Sequence, residues 1–188
     1  MPGRIFVLSG PLGIGKTSTC LQLVDLAQGR GLDCAGLVCP ARFRGRQKAG
    51  IDVLDLRTCE RRSLAEADDR PAALRTSGYR FDASALTWGA AVLAAACPCD
   101  LLFVDEIGPL ELERGQGWVN ALDVLRTGSF KFAVVVVRPH LLDAFEQAMG
   151  QGPLRRLMLP VPAGDDLLKT ILSSDQLNSS SAATSAAR

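Results

Sequence analysis

The segment Gly10-Pro11-Leu12-Gly13-Ile14-Gly15-Lys16-Thr17 constrains this chain more than any other stretch. It fits G-x-x-x-x-G-K-[ST] and stands between an apolar β-type run, residues 4 to 9, and a stretch with apolar residues at helical spacing, Cys20, Leu23, Val24, Leu26 and Ala27. A strand, a glycine-rich turn and a helix in that order bring backbone N–H groups and the positive end of a helix to one point, which suits a phosphate. The glycines let the backbone wrap closely, the lysine bridges the β- and γ-phosphates, and the threonine hydroxyl ligates Mg2+. Gly10, Pro11, Leu12, Gly13, Ile14, Gly15, Lys16, Thr17 and Ser18 are therefore the expected nucleotide-binding residues. Lys16 is also expected to act in catalysis, and Thr17 to hold the metal.

A nucleotide-bound magnesium needs a second, acidic anchor on a neighbouring strand. Leu101-Leu102-Phe103-Val104-Asp105-Glu106 supplies one, an apolar run that ends in adjacent carboxylates. At the C-terminal edge of a parallel sheet such side chains emerge where ligands bind. Asp105 is expected to hold Mg2+, through water, because this ion keeps several waters and takes only one or two carboxylates. Glu106 is expected to polarise the attacking water. Arg138 follows directly on Phe132-Ala133-Val134-Val135-Val136-Val137, at the sheet edge where a γ-phosphate sensor would stand, and completes the catalytic set.

Strand-like runs alternate with helical ones along the chain, and the β-branched run at 132–137 reads as a strand covered on both faces. Together with the phosphate loop this predicts an α/β three-layer sandwich, with a mostly parallel central sheet and helices on both faces. The order of elements leaves room for a strand between the two phosphate-site strands, the arrangement of catalytic-glutamate, RecA-like P-loop NTPases. Residues 1–172 are expected to form the domain. Within it, 42–82 reads as a basic loop or flap, with 57–82 irregular, and a helix is expected from Gly117 to Leu125. Residues 173–188 lack an apolar period and read as a disordered tail.

Composition narrows the function classes. The net charge of +1 carries no general electrostatic footprint for nucleic acid. No apolar run reaches the roughly 18 residues of a membrane span. With neither a span nor a signal peptide, a cytoplasmic location is expected. Of the six cysteines none makes a CxxC pair, and with only His140 as histidine neither a zinc site nor a Ser-His-Asp hydrolase is expected. The segment 42–62 holds seven Lys or Arg against three Asp or Glu. It reads either as a flap over phosphates, or a dock for an anionic protein partner, or as a solvated loop.

Asp105-Glu106-Ile107-Gly108-Pro109-Leu110-Glu111-Leu112, with the phosphate loop at its distance upstream, resembles the small nucleoside-triphosphatase family known from thermophiles and from a human cancer-related member. Gly36 and the later Gly50-Ile51-Asp52 are similar to that family's glycine-then-GFD pattern. The resemblance covers roughly residues 4–140 and implies Mg2+-dependent hydrolysis of nucleoside triphosphates to diphosphates and phosphate, with broad base tolerance. It departs from the family where a Thr-x-Glu-x-Arg segment gives way to Cys39-Pro40-Ala41-Arg42-Phe43. Arg42, Arg44, Arg46 and Lys48 are the candidates to replace the family arginine. No NKxD-like segment that would read guanine is present. Phosphohydrolysis is the first expectation. A small-molecule kinase, with the basic segment as lid, and a nucleotide-dependent switch for cofactor or metal assembly are the alternatives.

Overall fold

The computed structural model describes residues 3–67, 75–76, 78–150, 154–160 and 164–173. In chain order the elements are β1 (Arg4–Ser9), α1 (Lys16–Gln28), β2 (Cys34–Val38), β3 (Ala41–Arg44), β4 (Gln47–Asp55), β5 (Arg61–Ala67), β6 (Arg75–Thr76) and β7 (Tyr79–Phe81). They continue with α2 (Ala83–Ala94), β8 (Cys99–Ile107), α3 (Pro109–Leu112), α4 (Asn120–Thr127), β9 (Phe130–Val137), α5 (Leu142–Met149), β10 (Leu154–Met158) and α6 (Asp165–Ser173).

Strand alternation decides the layering. Phe6 and Leu8 of β1, Leu101 and Phe103 of β8, and Val134 and Val136 of β9 face one side, where α1 and α6 close over them with Leu23, Val24, Leu168 and Ile171. Ile5, Val7, Leu102, Val104, Val135 and Val137 face the other side, against α2, α4 and α5 through Leu86, Leu93, Leu125 and Phe145. A strand buried on both faces has no polar position to alternate with, so these runs read as continuously apolar.

The sheet runs β10-β1-β9-β8-β2-β4-β5-β7-β6, with β3 paired to β4. From β10 to β2 all pairs are parallel, and from β2 outward all are antiparallel. The expected sandwich is present, but its sheet is mixed rather than mostly parallel. The strand between β1 and β8 is β9, which comes later in the chain than both.

The segment read as irregular, 57–82, contributes β5, β6 and β7 to this antiparallel wing. Only Leu64 and Ala65 of β5 are buried, so the strand carries no apolar period to find. Polar contacts add to the wing's share of the core, Val53 and Leu64: Arg42 of β3 donates to Asp52 of β4 at 2.9 Å and to Ser63 of β5 at 3.0 Å, and also pairs with Glu66 of β5. The part of that segment at 68–74 and 77, and the tail from 174 read as disordered, lie outside the described residues.

Asp82 caps α2 by accepting from the Ala85 N–H at 2.9 Å, which fixes where this helix starts. Inside α2, Gly89 makes room for Trp118, whose indole N–H donates to the Leu86 carbonyl at 3.0 Å. A Cβ at Gly89 would lie 2.6 Å from the indole nitrogen. Alanine gains about 1 kcal/mol of helix propensity over glycine, whereas overpacking costs about 1–3 kcal/mol. Gly89→Ala is therefore expected to destabilise the fold by about 1–2 kcal/mol, read as a lower urea midpoint at unchanged slope.

Candidate active site

β1 ends at Ser9, whose hydroxyl donates to the Val137 carbonyl at 2.7 Å and ties the end of β1 to the end of β9. The loop that follows rises into solvent at Pro11, Leu12, Gly13 and Ile14 and returns at Gly15, while Gly10 is buried. Gly13 (φ +78°) and Gly15 (φ +99°) hold left-handed backbone with open space where a Cβ would be. Conformation rather than crowding selects glycine at these two positions. Gly15 is also the N-cap of α1 and has no side chain to satisfy the first helical N–H groups, which leaves them directed at the loop's concavity. Ser18 is exposed in the first turn of α1.

Lys16 arches back over the loop, its ammonium donating to the carbonyls of Gly10 at 2.8 Å and Pro11 at 2.9 Å. Burial holds its pKa below the usual lysine value, and Arg138 adds to the depression; Glu106 and Asp105 pull the other way. The Thr17 hydroxyl lies near the carboxylate of Asp105 and acts to lower its pKa. That carboxylate is buried, at 2% exposure, and accepts a bond from the Cys39 N–H at 3.1 Å. Burial pushes its pKa up to about 6, against the opposing effect of these two groups. Gly36 explains how Cys39 comes so close: a Cβ there would lie 2.1 Å from the Phe103 carbonyl oxygen, so only glycine lets β2 run tight against β8.

Adjacent residues of a regular strand point to opposite faces. The β8–β9 ladder shifts register between Asp105 and Ile107, and the residue left out is Glu106. A bulge of this kind re-aims a side chain. Glu106 is half-buried and forms an ion pair with Arg138, the residue just past β9. The structure thus brings together Lys16, Thr17, Asp105, Glu106 and Arg138, the five residues singled out for metal or catalysis, at one end of the parallel strands.

Glu111 lies close by but is fully engaged. Its two carboxylate oxygens accept from the Gly108 N–H at 3.0 Å and the Trp118 N–H at 2.9 Å, and burial raises its pKa. These bonds fold the turn after β8 and set Gly117 at φ +69°, which is why α4 begins at Asn120 and not at Gly117.

The basic segment does not converge on this site as a cluster. Arg42 is committed to Asp52 and Glu66, Arg57 to Asp33, Arg61 to Asp52 and Arg62 to Glu60. Lys48 lies over the Tyr79 ring at 4.9 Å. Arg44 and Arg46 are exposed on the β3–β4 hairpin. Of the candidates for the family arginine, Arg42 is thus held on the antiparallel wing. Sequence reasoning missed the Cys39 N–H and the Glu106–Arg138 pair, since neither a backbone donor nor an ion pair set by strand register leaves a motif.

A family model described as NTPase matches residues 5–152. A nucleoside-triphosphatase THEP1 from Methanopyrus kandleri is 32% identical over 124 residues, covering 65% of this chain and 66% of the relative. Another, from Ignicoccus hospitalis, is 32% identical over 107 residues, covering 56% and 60%. The chain thus spans just under two thirds of the length of these curated relatives. The solution structure of a human cancer-related nucleoside triphosphatase superposes with a TM-score of 0.68 at 21% identity, covering 93% of this chain and 98% of that one. The crystal structure of THEP1 from Aquifex aeolicus does so with 0.67 at 13%, covering 90% and 98%. At these identities the two structures speak for the fold alone. Among the described residues no helix is long and apolar enough to cross a membrane. With strand, loop and acidic strand end all inside the matched span, the chain belongs to the NTPase family.

Proposed function

We propose that this chain is a Mg2+-dependent nucleoside-triphosphate phosphohydrolase, converting NTP and water to NDP and phosphate with broad base tolerance, and that residues 1–172 are its catalytic unit. The reading rests on one observation: the Thr17 hydroxyl lies near the buried Asp105 carboxylate, beside Lys16 and the Glu106–Arg138 pair. A hydroxyl and a carboxylate are hard oxygen donors, so this pair fits Mg2+. When bound, the ion neutralises charge on the β- and γ-phosphates.

The chain's own groups do the rest. The uncapped N–H groups of α1 and the glycine loop bind the phosphates. The Lys16 ammonium exchanges its two carbonyl partners, the exposed one of Pro11 and the part-buried one of Gly10, for phosphate oxygens. The γ-phosphate competes with Glu106 for Arg138; once the guanidinium turns to the phosphate, the Glu106 carboxylate is free to orient water and accept its proton.

Steady-state phosphate release over a panel of ATP, GTP, CTP and UTP tests the reading. Rates within about tenfold of one another are expected, since no segment reads a base and tenfold corresponds to about 1.4 kcal/mol. A thousandfold preference would contradict base tolerance. Diphosphate formation that depends on an added acceptor would replace hydrolysis by kinase chemistry, and tight binding without turnover would replace it by a switch.

A further inference from the structure

Among the described residues two buried carboxylates take no part in the proposed chemistry, Asp55 and Glu111. Asp55 serves its own turn, accepting from the Arg57 N–H at 3.0 Å and the Thr58 hydroxyl at 2.7 Å. Glu111 reaches further. One of its oxygens holds the Gly108 N–H at 3.0 Å, two residues past Glu106, and the other holds the Trp118 N–H at 2.9 Å. Trp118 is itself fixed, at 3% exposure, with its indole N–H bonded to the Leu86 carbonyl of α2. The Glu111 carboxylate therefore ties the chain just beyond β8 to the helical layer.

The way β8 ends makes this tie matter. Asp105 pairs with Val136 and Ile107 with Val137, and Glu106 is bulged out between them. Val137 is the last residue of β9, so a single ladder pair follows the bulge. The direction of a bulged side chain depends on where the strand resumes, and one terminal pair holds that point weakly. Glu111 adds a second hold at Gly108. Its surroundings are shaped to fit: Gly117 takes φ +69°, and a Cβ there would lie 2.2 Å from Oε1 of Glu111. A carboxylate offers an acceptor to both N–H groups, whereas glutamine would turn an NH2 toward one of them. Burying that charge costs more than capping a short turn requires, since a hydroxyl or water serves for a cap.

We infer that Glu111 is a positioning residue for hydrolysis: its carboxylate clamps Gly108 to Trp118 and so fixes the direction in which the bulge presents Glu106 to water. The inference rests on the proposed role of Glu106. Arg138 follows Val137, the ladder partner of Ile107, so the same clamp sets the offset at which Glu106 meets Arg138. Lys16, Thr17 and Asp105 stand on α1 or ahead of the bulge, so ground-state binding of nucleotide and metal does not depend on the clamp.

A double-mutant cycle of Glu111→Gln with Glu106→Gln tests it. Glu111→Gln alone is expected to lower kcat by about tenfold to a hundredfold, the range for a small misplacement of a reacting group. KM and the Mg2+ concentration for half-maximal rate are expected to stay within about twofold of the parent. In the Glu106→Gln background the same substitution is expected to cost less than about twofold, because the group it positions is already disabled. Gly117→Ala, whose methyl group displaces the carboxylate without removing its charge, is expected to lower kcat with the same dependence on background. Binding of a fluorescent nucleotide counts the folded sites in each sample. An equal fall in kcat in both backgrounds, a change confined to KM, an unchanged kcat in Glu111→Gln, or loss of binding sites in both Glu111→Gln and Gly117→Ala would each overturn the inference. If Glu106→Gln itself runs at the parent rate, the reading of Glu106 fails and the inference with it. A slow Glu106→Gln protein in which Glu111→Gln still acts in full sinks the clamp alone.

Discussion

Replacing Glu106 by Gln is expected to lower phosphate release by roughly two to four orders of magnitude, the range for a lost general base, while nucleotide binding persists. Glutamine keeps the size of the side chain and one acceptor for the Arg138 guanidinium, but loses the charge that polarises water. Glu106 lies in the bulge at the end of β8, half-buried, and the two hydrophobic layers do not depend on it. Its replacement should shift stability by no more than about 0.5 kcal/mol. Stopped-flow binding of a fluorescent nucleotide alongside single-turnover phosphate release separates the two effects. A variant that turns over at the parent rate would move water activation elsewhere. Glu111 could not take it over in this geometry, because both of its oxygens are occupied by backbone N–H groups. A variant that no longer binds nucleotide would reverse the roles of the two adjacent acids.

Lys16→Ala removes the charge nearest the loop, and turnover is expected to fall by about two to three orders of magnitude, as for loss of one preorganised donor to developing charge. Unlike the glutamate variant, it should also weaken binding, because the ammonium interacts with phosphate in the ground state as well. The Lys16 contacts are two hydrogen bonds to carbonyls, exposed at Pro11 and part-buried at Gly10, and lie outside both hydrophobic layers. The melting temperature should therefore stay close to that of the parent. Unchanged hydrolysis at unchanged melting temperature would remove the phosphate loop from the account.

What the sequence made legible was local. A phosphate loop must be written in consecutive residues, because its glycines and lysine serve one tight turn. The pair Asp105-Glu106 was readable because the strand before it is buried on both faces and the polarity changes abruptly at its end. The parallel half of the sheet followed from the same apolar runs. The antiparallel half did not: in β5 only Leu64 and Ala65 are buried, and the strand is held by its ladder to β4 and by Arg42 reaching Asp52, Ser63 and Glu66. Such pairing is a property of register and is invisible to periodicity. The same holds for Glu106 and Arg138, whose meeting depends on where β9 slides against β8. The pairing within the basic segment was hidden for a related reason, since arginine-rich composition does not reveal that Arg42, Arg57, Arg61 and Arg62 already have carboxylate partners.

On the proposed function, Thr17 and Asp105 hold the metal on which hydrolysis depends. A Mg2+ titration of phosphate release, run on the parent and on Asp105→Asn, tests it most directly. Asparagine keeps an acceptor for the Cys39 N–H but removes the charge. The parent is expected to release phosphate with Mg2+ and to stop when EDTA is added, and the variant to need a higher Mg2+ concentration for half-maximal rate. Release that continues in EDTA, or superimposable titrations for the two proteins, would contradict the claim.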